Sequence, residues 1–267
     1  MAPTDGYWGK VTSTIDWCEE NYVVNRYVAE FWNTISNSIM IFAPMFSVYL
    51  AVKQNLEKPV IWSNMSVIVV GVGSWAFHMT LQYSMQLLDE LPMIWGSAFL
   101  IYGILMIESK EGEINKQLLA FLFCYAAVVT AVYLINKNPV FHEIAYGLMV
   151  ATMFFASIRI LLKYKVNSLL YLVSSGTYLS GFLLWNVDNI FCHQLRSLRR
   201  EQLHSAATPL FECHAWWHIL AGTGTYLSLV FVAHTRYFIL GRSPQLKFLF
   251  GFWPYVSVPP ASKKLKQ

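Results

Sequence analysis

The sequence predicts an all-α integral membrane protein, a seven-transmembrane-helix bundle with its N-terminus luminal and its C-terminus cytosolic. Three observations carry this reading. Of 267 residues, 56% are hydrophobic and only 13% charged, with a mean hydropathy of +0.43. A soluble domain carries roughly 25% charged residues. Seven apolar stretches approach the ~20 residues that span a bilayer. The basic residues between them are shared unevenly between the two sides.

Residues 1–30 are polar and acidic and lack the positive start and apolar run of a cleavable signal, so the first span is expected to be its own insertion signal. The spans then run Phe31–Val52, Pro59–Leu81, Leu91–Ile107, Gln117–Ile135, Pro139–Leu162, Ser168–Val187 and His214–Leu240. Short connections between them make residues 31–240 one domain, followed by a cytosolic tail, residues 241–267. No fixed-period repeat or low-complexity segment interrupts it. An odd number of spans places the termini on opposite sides. The C-terminal side holds Lys53, Lys58, Lys110, Lys116, Arg159, Lys163, Lys165, Arg236, Arg242, Lys247, Lys263, Lys264 and Lys266, thirteen in all. The other holds Lys10, Arg26, Lys137, Arg196, Arg199 and Arg200, six in all. Positive charge marks the cytosolic side. The net charge of +4 is therefore a topology signal, and it calls for no nucleic-acid partner. No obligate protein partner is expected either.

Polar residues inside spans are the functional candidates. His78 closes the second span, and His214 and His218 open the seventh. The topology brings all three to the luminal side. A pair at i, i+4 shares one helix face, and a third imidazole completes a His₃ zinc shell with an open position. Each histidine alone also reads as an interfacial, hydrogen-bonded residue. Ser74 lies one turn before His78, as a hydroxyl for an oxyanion or as a residue bonded to its own helix. Asp89 and Glu90 open the third span on the same side. Asp89 is either a base near the metal or a charge favoured by the helix dipole. Asp188 ends the sixth span there, in a supporting or structural role. His142, His193, His204 and His234 read as loop or helix-end residues.

The stretch Asp16-Trp17-Cys18-Glu19-Glu20-Asn21, with Glu30 beyond it, resembles an oxygen cage for calcium. Such juxtamembrane acids also occur simply as solvated charge. Of the cysteines, Cys124 lies mid-span and reads as core packing. Cys18, Cys192 and Cys213 are luminal, where disulfides persist, with Cys18–Cys192 the preferred pair. Cys213, beside His214, has a second reading as a metal ligand. The sequon Asn64-Met65-Ser66 lies within a span and should be unused.

Six stretches occur in the order of one family: Thr14–Tyr22, Ala29–Thr34, Gly73–Leu81, Met85–Met93, Trp185–Cys192 and His214–Leu220. At these the chain resembles the alkaline ceramidases, most closely their type-three branch, the alkaline phytoceramidases. The loop Arg196–Cys213 departs from that branch. The resemblance implies seven transmembrane helices in the endoplasmic reticulum and Golgi membranes. It also implies hydrolysis of the ceramide amide to a sphingoid base and a fatty acid, on ceramide, dihydroceramide or phytoceramide. By the same resemblance, zinc is held by His78, His214 and His218, with Ser74 and Asp89 as catalytic partners. Calcium, which stimulates, is held by Asp16, the Trp17 carbonyl, Glu19, Asn21 and Glu30. Two other readings stay open: a seven-span receptor of the adiponectin and progestin receptor type with a structural zinc, and a transporter with interfacial histidines.

Overall fold

In hydrocarbon every peptide group must find its partner within the protein, so long apolar runs fold as helices. The computed structural model describes residues 6–204 and 206–260. Lys263, Lys264 and Lys266 of the expected tail lie outside them. The helices are α1 (Phe31–Ser36), α2 (Ser38–Lys53), α3 (Lys58–Thr80), α4 (Tyr83–Leu105), α5 (Lys116–Asn136), α6 (Pro139–Lys163), α7 (Ser168–Ile190), α8 (Cys192–Ser197) and α9 (Cys213–Ile239). A π turn, Leu198–Gln202, and a 3₁₀ turn, Thr208–Phe211, lead into α9. Among the described residues six helical stretches are long and apolar enough to cross a membrane: Phe31–Lys53, which joins α1 and α2, and α3 to α7. Helix α9 is the seventh long helix, with 27 residues. It packs on α7, α2, α1 and α3 and buries small and polar residues along much of its length.

Three expectations need correction. Helix α4 starts at Tyr83 rather than Leu91 and carries Pro92 inside it. Asp89 and Glu90 therefore lie almost two turns into the helix, not at its mouth. The polar start of α4 looked like a turn, but its polarity serves the N-terminal segment. Gln86 Oε1 accepts from the Thr14 amide at 2.8 Å, and Thr12 Oγ1 accepts from the Tyr83 amide at 3.0 Å. Second, Cys124 is exposed on the outer face of α5, where apolar residues all round the helix left no signal of direction. Third, the fold is mostly rather than wholly helical. Strands β1 (Gln245–Leu249) and β2 (Trp253–Ser257) pair antiparallel after α9. Helix α7 also runs three residues past its expected end at Val187, to Ile190, so Asp188 sits inside it.

The N-terminal segment lies across the end of α3. Helix termini leave four carbonyls without intrahelical partners. Here the Ala29 amide donates to Met79 O (2.9 Å), the Glu30 amide to His78 O (3.0 Å) and the Thr12 amide to Leu81 O (3.2 Å). Leu81 itself takes a left-handed conformation (φ 50°), which turns the chain sharply from α3 into α4.

Contact between α3 and α4 is close because residue 73 is glycine: a Cβ there would overlap the Leu88 carbonyl oxygen. At the opposite end of the bundle Arg236 ties three elements together. It donates to both Glu57 carboxylate oxygens (2.8 and 2.9 Å) and to the carbonyls of Ile107 (3.1 Å), Ser109 (2.5 Å) and Lys110 (3.1 Å). Burial raises the Glu57 carboxyl, but bonds from Arg236 and the Gly112 amide outweigh it and hold it below its ordinary value.

A carboxyl depressed in the folded state stabilises above its unfolded value and loses that contribution as pH falls. Thermal unfolding followed in detergent should therefore show a midpoint that drops on acidification through about pH 4.5, and Arg236→Ala should remove that part of the pH dependence. The same variant should cost roughly 3–5 kcal/mol, because Glu57 is left unpaired. Gly73→Ala should cost about 1–3 kcal/mol through overpacking, read as a lowered melting midpoint.

Candidate metal centre

The three predicted histidines converge. His78 sits in the last turn of α3, and His214 and His218 share one face of the first turns of α9. All are buried, and each offers one ligand nitrogen, these lying within 4.8 Å of one another. Ring centroids are 5.1 Å apart for His78 and His214, 4.7 Å for His78 and His218, and 4.6 Å for His214 and His218. Among the described residues no other group of three His, Cys, Asp or Glu side chains comes so close.

Each ring is held from behind. The Nδ1 atom of His78 lies 2.5 Å from Glu30 Oε2. Glu30 is itself fixed by the Trp17 amide (3.2 Å) and the Asn33 side-chain amide (3.1 Å). His218 Nδ1 lies 3.0 Å from the Asn33 carbonyl and 2.9 Å from Ser36 Oγ. A carbonyl only accepts, so that Nδ1 carries the proton and Nε2 keeps a free lone pair. The His214 ring stacks on Trp17 with centroids 3.9 Å apart, and its buried Nδ1 has no hydrogen-bond partner. Converging imidazoles, two of them with the outer nitrogen tied, suit a nitrogen-loving divalent cation. The unpaired His214 Nδ1 points the same way, because a buried polar atom without a partner is costly.

Ser74, buried one turn before His78, and Asp89 on α4 interact side chain to side chain. This joins the two predicted catalytic residues across the α3–α4 contact that Gly73 allows. Glu90, on the next position, turns away: it accepts from Tyr133 OH at 2.5 Å and from Gln86 at 3.1 Å. His142, read as a helix-end residue, is buried and donates to the Glu90 carbonyl at 2.8 Å.

The five calcium candidates form one linked patch, and each already has protein work. Asp16 accepts from the Asn21 side chain (3.3 Å), and the Trp17 carbonyl accepts from Arg196 (3.0 Å). Glu19 caps α1, taking the Trp32 and Asn33 amides at 2.8 Å each. Glu30 serves His78. Burial, then the neighbouring Glu30, pushes the Glu19 carboxyl up to about 8, and burial lifts that of Glu30 well above its ordinary value. Together with the unpartnered buried Asn21 Oδ1, this is a patch rich in oxygen, with Arg196 on its Trp17 carbonyl. A hard cation fits it.

Sequence reasoning missed the supports. Asn33 and Ser36, which orient His218, were detectable as polar residues early in an apolar span. Arg196 and Arg199 read only as topology charges, yet both bind the Cys18 carbonyl, at 3.0 and 2.6 Å. Arg199 also pairs with the buried Glu212 at 2.7 Å. Asp188 accepts the Cys18 and His214 amides, each at 3.2 Å, and so ties the N-terminal segment to the start of α9. Cys18 and Cys192 are disulfide-bonded, Cα to Cα 5.2 Å, as preferred from sequence. Cys213 is a buried free thiol packed beside Cys18 and Leu195, outside the histidine cluster.

Comparison with known proteins gives the family. The family model described as Ceramidase matches residues 9–260. Alkaline ceramidase 3 of Mus musculus is 47% identical over 267 residues, covering 98% of this chain and 100% of the relative. An alkaline ceramidase of Saccharomyces cerevisiae is 36% identical over 263 residues, covering 91% and 83%. The alkaline ceramidase of Arabidopsis thaliana is 28% identical over 258 residues, covering 94% and 95%. The chain belongs to the ceramidase family.

Proposed function

We propose that this protein is an alkaline ceramidase, an amidase that splits ceramide, dihydroceramide or phytoceramide into a sphingoid base and a fatty acid. The observation that carries the reading is the convergence of His78, His214 and His218 beside the Ser74–Asp89 pair. The protein works as a bundle of seven spans, with α9 as the seventh. It lies in the endoplasmic reticulum and Golgi membranes, its N-terminal segment luminal and its C-terminus cytosolic. A lipid substrate suits the site, since both hydrocarbon tails remain among apolar helices while the amide meets the polar end.

The residues divide the work. His78, His214 and His218 would hold zinc, with Nε2 of His78 and His218 left free by the bonds to Glu30 and Asn33. Bound zinc supplies Lewis acidity toward the amide carbonyl and lowers the pKa of water to about 7. Asp89 takes the proton of the attacking water and returns it to the leaving amine. Once Asp89 carries that proton it can donate to Ser74 Oγ, which frees the single Ser74 hydroxyl hydrogen for the oxyanion. Asp16, the Trp17 carbonyl, Glu19, Asn21 and Glu30 would hold calcium, which supplies the positive charge that the two buried glutamates lack. Because Glu30 contacts His78, order in that patch reaches the catalytic end directly. Family membership supports hydrolysis over a receptor with a structural zinc, which would share the histidine plan.

Purified protein given defined ceramides should release fatty acid, and chelation of zinc or of calcium should lower that release. His218→Ala should lose both zinc by elemental analysis and turnover; activity without zinc would reject the site. Glu30→Gln should weaken zinc binding about 10–100-fold, since it supports a ligand rather than being one. Ser74→Ala and Asp89→Asn should keep zinc yet lower kcat by about 10²–10³-fold.

A further inference from the structure

The chain after α9 turns back on the bundle. Gly241 (φ 73°) ends the helix, with its amide donating to Phe238 O at 3.0 Å, and β1 and β2 follow as a hairpin. Its turn uses two left-handed residues, Phe250 (φ 52°) and Gly251 (φ 81°), closed by the Phe252 amide on Leu249 O at 3.3 Å. Paired positive φ values match the right-handed twist of a hairpin.

Strand β2 lies along α2 and α9. Near its base, Gln54 accepts from the Val258 amide (2.6 Å) and donates to Val256 O (3.3 Å). Farther along, Tyr226 OH donates to Pro254 O at 2.8 Å, the Trp253 ring lies 5.0 Å from Tyr226, and Tyr255 lies 5.6 Å from Phe46. Gln54 directly follows α2, whereas Phe46 lies seven residues before Lys53, about 10 Å back along the axis at ~1.5 Å per residue. The strand thus climbs from the end of the bundle to the level of its spans. Outside it stand Phe248, Phe250 and Phe252, exposed by 54%, 83% and 70%. On α2, against which Tyr255 packs through Phe46, Phe42, Met45 and Tyr49 are exposed as well.

We propose that residues 245–257 form a re-entrant hairpin, seated in the outer part of the leaflet on the side of the α2–α3 connection, with its phenylalanine face against lipid acyl chains. Non-helical backbone is tolerated at such depth only where protein satisfies it. The inner edge of β2 meets that demand: Pro254 has no N–H, and the carbonyls of Pro254 and Val256 and the Val258 amide are bonded to Tyr226 and Gln54. The outer edge of β1 is free, which restricts the hairpin to the headgroup–acyl boundary, roughly 5–10 Å deep. The exposed Lys247 suits that level, since its stem lies along apolar surface while the ammonium reaches water. Beneath the hairpin a cavity of about 30 Å³ is lined by Ser47, Gln54, Asn64, Tyr255 and Val256. The hairpin keeps these polar groups from lipid.

The test places a nitroxide at Phe250→Cys, on a Cys124→Ser background, in full-length protein in phosphatidylcholine vesicles. Collision with oxygen should exceed collision with a neutral nickel chelate several-fold, and Ser243→Cys, before the hairpin, should show the reverse. A nickel-dominated signal at position 250 means an aqueous tip and overturns the proposal. Low collision with both reagents means a protein-covered tip and overturns it equally. Phe252→Cys, read in the same way, covers a failure of the first variant to fold.

Discussion

A buried histidine needs something to hold its outer nitrogen, and the end of this bundle that carries the N-terminal segment is organised around that need. Glu30 meets it for His78, and Asn33 with Ser36 meets it for His218. Both supports come from one short stretch at the start of α1. The geometry of the site therefore depends on how that stretch is anchored. Glu19 anchors it by accepting two α1 amides, and the arginines of the last loop grip the Cys18 carbonyl one residue away. An acidic segment that resembles a simple solvated leader is thus the back wall of the site.

Two kinds of helix contact set the remaining geometry. Gly73 lets α3 and α4 approach until Ser74 meets Asp89, while α9 delivers two imidazoles on one face. At the other end Arg236 binds α9 to the α2–α3 and α4–α5 connections through Glu57 and loop carbonyls. The site and the clamp lie at opposite ends of α9, so one helix transmits rigidity between them. The i, i+4 pair keeps its spacing only while that helix stays straight and seated.

The bundle and the histidine trio were legible because period, hydropathy and span parity are local properties of the chain. His78, His214 and His218 had to share a side once the spans were counted. Helix starts were less legible where polar residues served another segment: α4 begins at Tyr83 although its apolar run begins only at Leu91, because Gln86 bonds Thr14. Cys124 had no directional signal on a helix apolar all round. The supporting residues were the least visible, since Arg199 meets Cys18 and Glu212 only through tertiary contact. The hairpin after α9 was read as a tail because five-residue strands among scattered charges carry little periodicity.

The Cys18–Cys192 cross-link joins positions 174 residues apart, and His214 and His218 come later still. During synthesis the first spans must wait in the bilayer with Glu30 and His78 in place but without their partners. The Cys18–Cys192 bond can close before α9 is made, but only when that helix enters can the imidazole trio assemble. A chain that stops short of α9 therefore carries Glu30 and His78 without the two imidazoles that face them.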